Sequence, residues 1–153
     1  MTTVADKYKA LYLQAKSLAE NTPQVGRKLA GNCTTVSYSM LNSAREALGK
    51  DIELCVGWIE YKGERKWYFS DDDIKKWKSG VVRPTNMVHC WLQSDDHLID
   101  LTLASTLYEI ERIQNVSLIP LGIDYMDNSV ARKLSIRHKK RLSGDNILFD
   151  LNF

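Results

Sequence analysis

The sequence predicts an α+β fold, and three observations carry that expectation. Apolar residues recur with helical spacing through the first third of the chain, strand-like alternation takes over from Ile52, and two further apolar runs flank a polar turn at Ser94–His97. With 153 residues, the chain has room for one domain (1–153) built on one sizeable core.

Val4–Ala19 reads as an amphipathic helix, since Val4, Tyr8, Leu11, Tyr12, Ala15, Leu18 and Ala19 are spaced by three and four, with Thr2 or Thr3 as the cap. Asn21-Thr22-Pro23 ends it. Val36, Met40, Leu41, Ala44, Ala47 and Leu48 predict a second helix that opens at Cys33 and stops at Gly49. Asp51–Tyr61 is strand-like through Ile52, Leu54, Val56 and Trp58; Lys62–Arg65 reads as a turn and Lys66–Phe69 as the partner strand. Ser70 and the acids Asp71–Asp73 open a short helix that ends in Lys75, Lys76 and Lys78, the order a helix dipole favours, and capping rather than metal binding is the expected role of those acids. Arg83-Pro84-Thr85 leads into a hairpin over Asn86–Thr102. Beyond it, Leu103–Gln114 has helical character, Val116–Leu121 is a strand candidate and Gly122–Asn128 a loop. Ser129–Leu142 reads as a basic helix burying Val130, Leu134 and Ile136, and Ile147–Phe153 as a final edge strand.

The hairpin carries the chemistry. Along its first strand, Met87–Gln93, His89 and Trp91 share one face, and Val88, Cys90 and Leu92 the other. A two-residue connection at Ser94-Asp95 sets Asp100 directly across from His89, one at Asp95-Asp96 sets it diagonally on the same face, and a three-residue loop sends it to the opposite face. A carboxylate beside an imidazole fixes its tautomer and prepares it to act as a base toward a nucleophile. Cys33 is the nucleophile candidate: at a helix N-terminus the dipole and the free backbone N–H groups favour a thiolate, and the same N–H groups can hold an oxyanion. Gln24 and Asn32 are rival side-chain donors to that oxyanion, Asn32 also being a rival helix cap. Trp91, beside the base, is expected to wall the substrate channel.

A Cys opening a helix, then His-x-Trp on a strand, then Ile-Asp-x-Thr on the next, resembles the transglutaminase-like branch of the papain-like cysteine enzymes. The resemblance runs from about Gly31 to Thr102 and matches Cys33 to the nucleophile, His89 to the base and Asp100 to the orienting acid, with Trp91 and Thr102 at positions that commonly follow. Cys90 stands where a small residue such as Ala is usual, and Leu101 where Pro is common. The resemblance implies N-terminal helices, the nucleophile helix among them, packed on an antiparallel sheet, and a protease, amidase, glutamine deamidase or, less in keeping with this size, a transglutaminase. It implies no cofactor and no metal.

Composition narrows the classes further. At 44% apolar and 26% charged the chain has the make-up of a globular protein, and neither a basic-then-apolar leader nor a run of about 20 apolar residues is present, so a membrane span is not expected and a cytoplasmic location is, export by a dedicated machine aside. Three cysteines without a CxxC spacing argue against a disulfide framework or a zinc site; Cys55 and Cys90 are expected to pack in the core, and His97 and His138 to lie on the surface. Arg132, Lys133, Arg137, Lys139, Lys140 and Arg141 carry +6 of a net +2, which leaves the rest of the chain at −4. That basic segment is a candidate dock for an acidic partner. Trp58, Trp67, Trp77 and Trp91 read as core and cleft wall, not as a base-stacking platform, so a protein or peptide substrate is expected in preference to nucleic acid. The alternative from another class is a non-catalytic binding module that uses the cleft and the basic helix to hold a protein partner.

Overall fold

The computed structural model describes residues 2–84 and 88–153. Thr85, Asn86 and Met87, expected to form the end of a loop and the start of the hairpin, lie outside the described residues. The chain is α+β: six α-helices and a six-stranded antiparallel sheet among the described residues, the sheet curled into a half-barrel.

Helix α1 (Val4–Glu20) begins at a capping box in which Thr3 and Asp6 satisfy each other's backbone N–H groups, and it buries Tyr8, Leu11, Tyr12, Ala15 and Ala19. A 3-10 turn at Pro23–Val25 and a loop lead to α2 (Cys33–Leu48), which buries Val36, Ser37, Met40, Leu41 and Ala44 and stops at Gly49. These two helices cover one face of the sheet, with Leu54, Val56, Cys90 and Leu92 in the core between them.

Strand β1 (Glu53–Tyr61) is the spine of the sheet. A tight turn with positive φ at both Lys62 and Gly63, the mirror-image geometry suited to two-residue hairpins, returns the chain as β2 (Glu64–Lys66). That strand is shorter than Lys66–Phe69 and starts earlier, because Trp67 takes a left-handed φ of 63° and leaves the sheet. Helix α3 (Asp71–Lys78) has the expected capping box, Ser70 with Asp73. β3 (His89–Gln93) pairs with β1, and β4 (Leu98–Asp100) with β3; the register Leu92 to Ile99 and Gln93 to Leu98 makes Asp95-Asp96 the two-residue connection. Asp100 is therefore diagonal to His89 on the same face, the second of the two permitted geometries.

Helix α4 (Leu103–Gln114) matches its expected bounds. Val116–Leu121 is not a strand: the N–H groups of Leu118 and Ile119 donate to the buried Glu111 carboxylate, and Tyr108 binds the Pro120 carbonyl, so this backbone is held by side chains. A two-residue strand, β5 (Met126–Asp127), pairs with β4. The expected basic helix is overturned. It divides into α5 (Asn128–Lys133), a break at Ser135 with φ of 55°, and β6 (Arg137–Ser143), which pairs with the free edge of β1. Ile147–Phe153 is likewise not a strand but a short helix, α6 (Ile147–Asp150), followed by a turn; Ile147, Leu148 and Leu151 are its buried residues, at helical spacing.

The curl has a local cause at Gly57. Pairing of β1 with β6 shifts register between Val56 and Gly57, and a Cβ at position 57 would stand 1.9 Å from the Lys139 carbonyl oxygen and 3.0 Å from Trp91. Only glycine lets the two backbones approach this closely. On a flat sheet the three strand steps from β6 to β4 would span about 14 Å. Here His138 on β6 touches Asp100 on β4. Helices α4 and α5 cover this concave face over Ile59, Leu103, Leu107, Met126 and Ala131. No helix among the described residues is long and apolar enough to cross a membrane.

Candidate functional site

Cys33 is the first residue of α2, and the packing of α2 on β3, fixed in part by the Ser37 hydroxyl donating to the Cys90 carbonyl, sets it beside the start of that strand. Its thiol points at the Val88 carbonyl at 3.7 Å and lies within hydrogen-bonding reach of both Cys90 and His89. His89 and Asp100 are almost fully buried, and Nε2 of the ring is 2.5 Å from Asp100 Oδ2. That bond leaves Nδ1 as the ring nitrogen available to the thiol.

His138, expected on the surface, belongs to this cluster. It is not a surface residue: its side chain is 2% exposed, and its Nε2 lies 2.8 Å from the same Oδ2 of Asp100. The second oxygen of Asp100 accepts from the N–H groups of Thr102 at 3.3 Å and Leu103 at 3.0 Å. The carboxylate thus sits between two imidazoles and a helix start. Nothing in its neighbourhood marked His138 as buried, because the residues around it are cationic and give no apolar periodicity. His97, also expected on the surface, is half-buried with Nδ1 2.8 Å from the Tyr8 hydroxyl.

The His89 ring is stacked between two indoles, Trp67 at 5.2 Å and Trp91 at 5.7 Å, faces that favour a cation. Trp91 is fully buried behind the ring, with Nε1 donating to Gln93, so it packs against the imidazole and does not wall the cleft. Trp67 lines the cleft in its place. Its left-handed backbone is what turns the indole onto His89.

These contacts set the ionisation of the site. Burial opposes a charge on His89, but the Asp100 carboxylate and the Cys33 thiol outweigh it and raise the imidazole to about 10. Burial likewise opposes the charge on Asp100, and the two histidines overcome it, holding the carboxyl well below its usual range. A hydrogen bond from the Cys90 thiol lowers Cys33, burial works against that, and His89 lowers it further, so Cys33 ends well below an ordinary thiol. Cys90 moves the opposite way, upward. Cys90 is therefore core packing, as expected, and also a donor to Cys33.

Neither expected oxyanion side chain is available. Gln24 is exposed on the 3-10 turn and does not line the cleft. Asn32 is the N-cap residue of α2, yet its amide donates to the carbonyls of Val25, Lys28 and Ala30, which binds the approach loop together and makes no side-chain cap. The first-turn N–H groups of α2 at Cys33 and Thr34 have no partner within the helix, and both residues line the cleft. Thr106 on α4 fixes the loop from the other side, accepting from Gly31 N–H and donating to the Thr102 carbonyl.

Cys33 and His89 open onto a cavity of about 470 Å³ whose walls are mainly apolar, among them Trp67, Pro84, Val88, Ile110 and Phe153. His89, Asp100 and His138 are also the one group among the described residues with metal-ligand chemistry, their atoms lying within 4.8 Å. Their two contacts of 2.5 and 2.8 Å to a single oxygen are shorter than the roughly 3.3 Å between ligands sharing a tetrahedral ion with bonds of about 2.0–2.1 Å. As they stand, these groups are arranged to hydrogen-bond one another.

The basic residues are divided by the break at Ser135. Arg141 pairs with Asp71 at 2.5 Å, and no ion pair among the described residues involves Arg132, Lys133, Arg137, Lys139 or Lys140. Comparison with protein-family models, curated proteins and solved structures finds no match for this chain.

Proposed function

We propose that this protein is a cysteine-dependent acyl-transfer enzyme acting on amide bonds of a protein or peptide, with a papain-like, transglutaminase-like arrangement of a nucleophile helix against an antiparallel sheet. The observation that supports this reading most is the convergence of Cys33, at the start of a 16-residue helix, with a buried His89 bound to Asp100, at the base of a 470 Å³ cleft.

In this reading His89 Nδ1 holds the proton released by Cys33. The thiolate attacks the amide carbonyl carbon, and the carbonyl electrons move to oxygen, where the N–H groups of Cys33 and Thr34 stabilise the oxyanion. As the carbonyl re-forms, the C–N bond breaks, His89 gives its proton to the leaving nitrogen, and a thioester remains on Cys33. Water, deprotonated by His89, then attacks the thioester; Cys33 leaves as thiolate and the acid is released. A backbone amide yields a peptide amine, a side-chain carboxamide yields ammonia, and an amine in place of water yields a new amide. Asp100 keeps the Nε2–H tautomer throughout, and His138 is a positioning residue that fixes Asp100. The apolar lining from Val88, Ile110, Ile113 and Phe153 suits an apolar side chain next to the scissile amide.

The test is a thioester on Cys33. Peptides with apolar residues flanking a Gln, and the same peptides without it, are incubated with the protein and followed by intact-mass spectrometry. A hydroxylamine-sensitive acyl adduct, absent from Cys33→Ala, is the expected result. Release of ammonia without chain cleavage identifies deamidation, and cleavage identifies a protease. A protein that binds these peptides unchanged, with no adduct, is a binding module.

A further inference from the structure

The three cysteines differ in where the fold puts them. On β1, Cys55 stands directly across from Trp91, and its side chain sits with Trp91 and Leu98 on the concave face of the sheet. Cys90 points the other way, into the core between the sheet and the helices, with Val56 and Leu92. Residues 33 and 37, one turn apart on α2, meet the same stretch of β3. The Cys33 thiol points at the Val88 carbonyl, and the Ser37 hydroxyl donates to the Cys90 carbonyl. That docking puts the thiols of Cys33 and Cys90 in contact, Cys90 donating to Cys33. The two also differ in access. Cys33 lines the 470 Å³ cleft, whereas Cys90 is fully buried and does not line it. A reagent entering the cleft meets Cys33 first, with Cys90 behind it.

We propose that Cys33 and Cys90 form a two-thiol modification site, which hydrogen peroxide entering the cleft converts to a reversible disulfide. The Cys33 thiolate attacks one peroxide oxygen; an S–O bond forms, the O–O bond breaks, and the departing hydroxide takes the proton held by His89 and leaves as water. The Cys90 sulfur then attacks the sulfenic sulfur of Cys33. The S–S bond forms, the S–O bond breaks, and the hydroxyl leaves as water with the Cys90 proton. Each sulfur gives up one electron, and the peroxide takes both. A dithiol reverses the change. An S–S bond is about 2.05 Å long, and two thiols already in contact reach it by turning their side chains, without unpairing β3. Cys55 takes no part, because the sheet lies between it and Cys33. That the disulfide shuts off an enzyme and spares its nucleophile from irreversible oxidation rests on the acyl-transfer reading; its formation needs no amide substrate.

The test uses the whole chain and hydrogen peroxide itself. Protein at pH 7 is treated with peroxide, quenched in acid, alkylated with N-ethylmaleimide in urea and digested without reduction for peptide mass spectrometry. A matched sample is treated with dithiothreitol before alkylation. The peptides of Cys33 and Cys90 are expected to be joined, with Cys55 free and alkylated, and dithiothreitol is expected to restore nearly all of the Cys33 thiol. Cys90→Ala has no thiol to resolve the sulfenic acid, so excess peroxide carries Cys33 on to the sulfinic acid, and the thiol recovered by dithiothreitol is expected to fall at least about tenfold. Cys55→Ala is expected to form the disulfide as the wild type does. Iodoacetamide labelling of the untreated protein at pH 6 separates this proposal from the acyl-transfer reading. Fast labelling of Cys33 without a crosslink after peroxide overturns the disulfide and leaves that reading in place, whereas slow labelling without a crosslink overturns both. A crosslink to Cys55, or recovery from Cys90→Ala equal to that of the wild type, also overturns the proposal.

Discussion

Replacing Asp100 by Asn removes one charge and no volume, which makes it the sharpest perturbation of the site. Asp100 accepts four hydrogen bonds, from His89 and His138 at one oxygen and from the backbone of Thr102 and Leu103 at the other. Asn offers one acceptor and one N–H2. If its oxygen faces the backbone, the amide N–H2 meets both imidazoles, and His89 must turn its proton to Nδ1, where it can no longer take one from Cys33. If the oxygen faces the histidines, the N–H2 abuts two backbone donors at a fully buried position. Breaking a buried, multiply bonded charge costs about 3–5 kcal/mol, so a drop in the urea midpoint is expected, with the fold retained. The reactivity of Cys33 falls as well. At pH 6 an ordinary thiol with a pKa of about 8.5 is only about 0.3% thiolate, and allowing for the weaker nucleophilicity of a low-pKa thiolate, the loss in alkylation rate is on the order of 10–100-fold. Iodoacetamide labelling at pH 6, read by peptide mass spectrometry alongside a near-UV spectrum, measures both. A folded Asp100→Asn protein that labels at the wild-type rate refutes the reasoning, because Asp100 would then have no hold on His89.

Gly57→Ala places a Cβ 1.9 Å from a backbone oxygen that cannot swing away, so a loss of at least about 1–3 kcal/mol is expected in urea unfolding, together with a slower Cys33; unchanged stability would contradict the assigned origin of the sheet's curl. Labelling of the native protein at pH 6–8 is expected at Cys33 alone, since burial pushes Cys55 up to about 12 and Cys90 is raised by its bond to Cys33 and by burial; comparable labelling of Cys90 would count against that bond. Stability should also trace the ion pair. From about pH 6.5 to 8.5 the folded pair, thiolate and imidazolium, holds as many protons as the unfolded pair, thiol and neutral imidazole, so urea midpoints should be flat. Above 8.5 the raised His89 still holds a proton that the unfolded chain has lost, and stability should fall toward pH 10; below 6.5 the lowered Cys33 lacks one that the unfolded chain keeps, and stability should fall there too, with Asp100 adding to the loss below about pH 4. In Cys33→Ala the plateau should vanish and stability decline from pH 6.5 upward.

The part of the fold that shows in the sequence is the part with apolar periodicity. α1, α2, β1 and α4 each repeat large apolar residues at helical or strand spacing, and α3 advertises its start through Ser70 and Asp73. The meeting of Cys33, His89 and Asp100 was legible because two of the three lie in one hairpin whose polar turn limits the register. β6 was not legible, since Arg137 to Arg141 gives no apolar alternation and its pairing with β1 is a long-range event permitted by a missing Cβ at Gly57. His138 was hidden for the same reason. Gln24 and Asn32 looked equivalent as donors because sequence carries no record of which carbonyls an amide will meet, and three of them claim Asn32. Trp67 lines the cleft where Trp91 was expected to, through a left-handed φ at Trp67 that no residue type at that position announces.

Whether Cys33 and His89 form a thiolate–imidazolium pair is read from the pH dependence of Cys33 alkylation in the wild type and in His89→Ala. Wild-type Cys33 is expected to react selectively well below a pH of about 8.5, and in His89→Ala its rate is expected to follow an ordinary thiol. A Cys33 that titrates near or above 8.5 in both proteins would contradict the pair and, with it, the acyl-transfer reading.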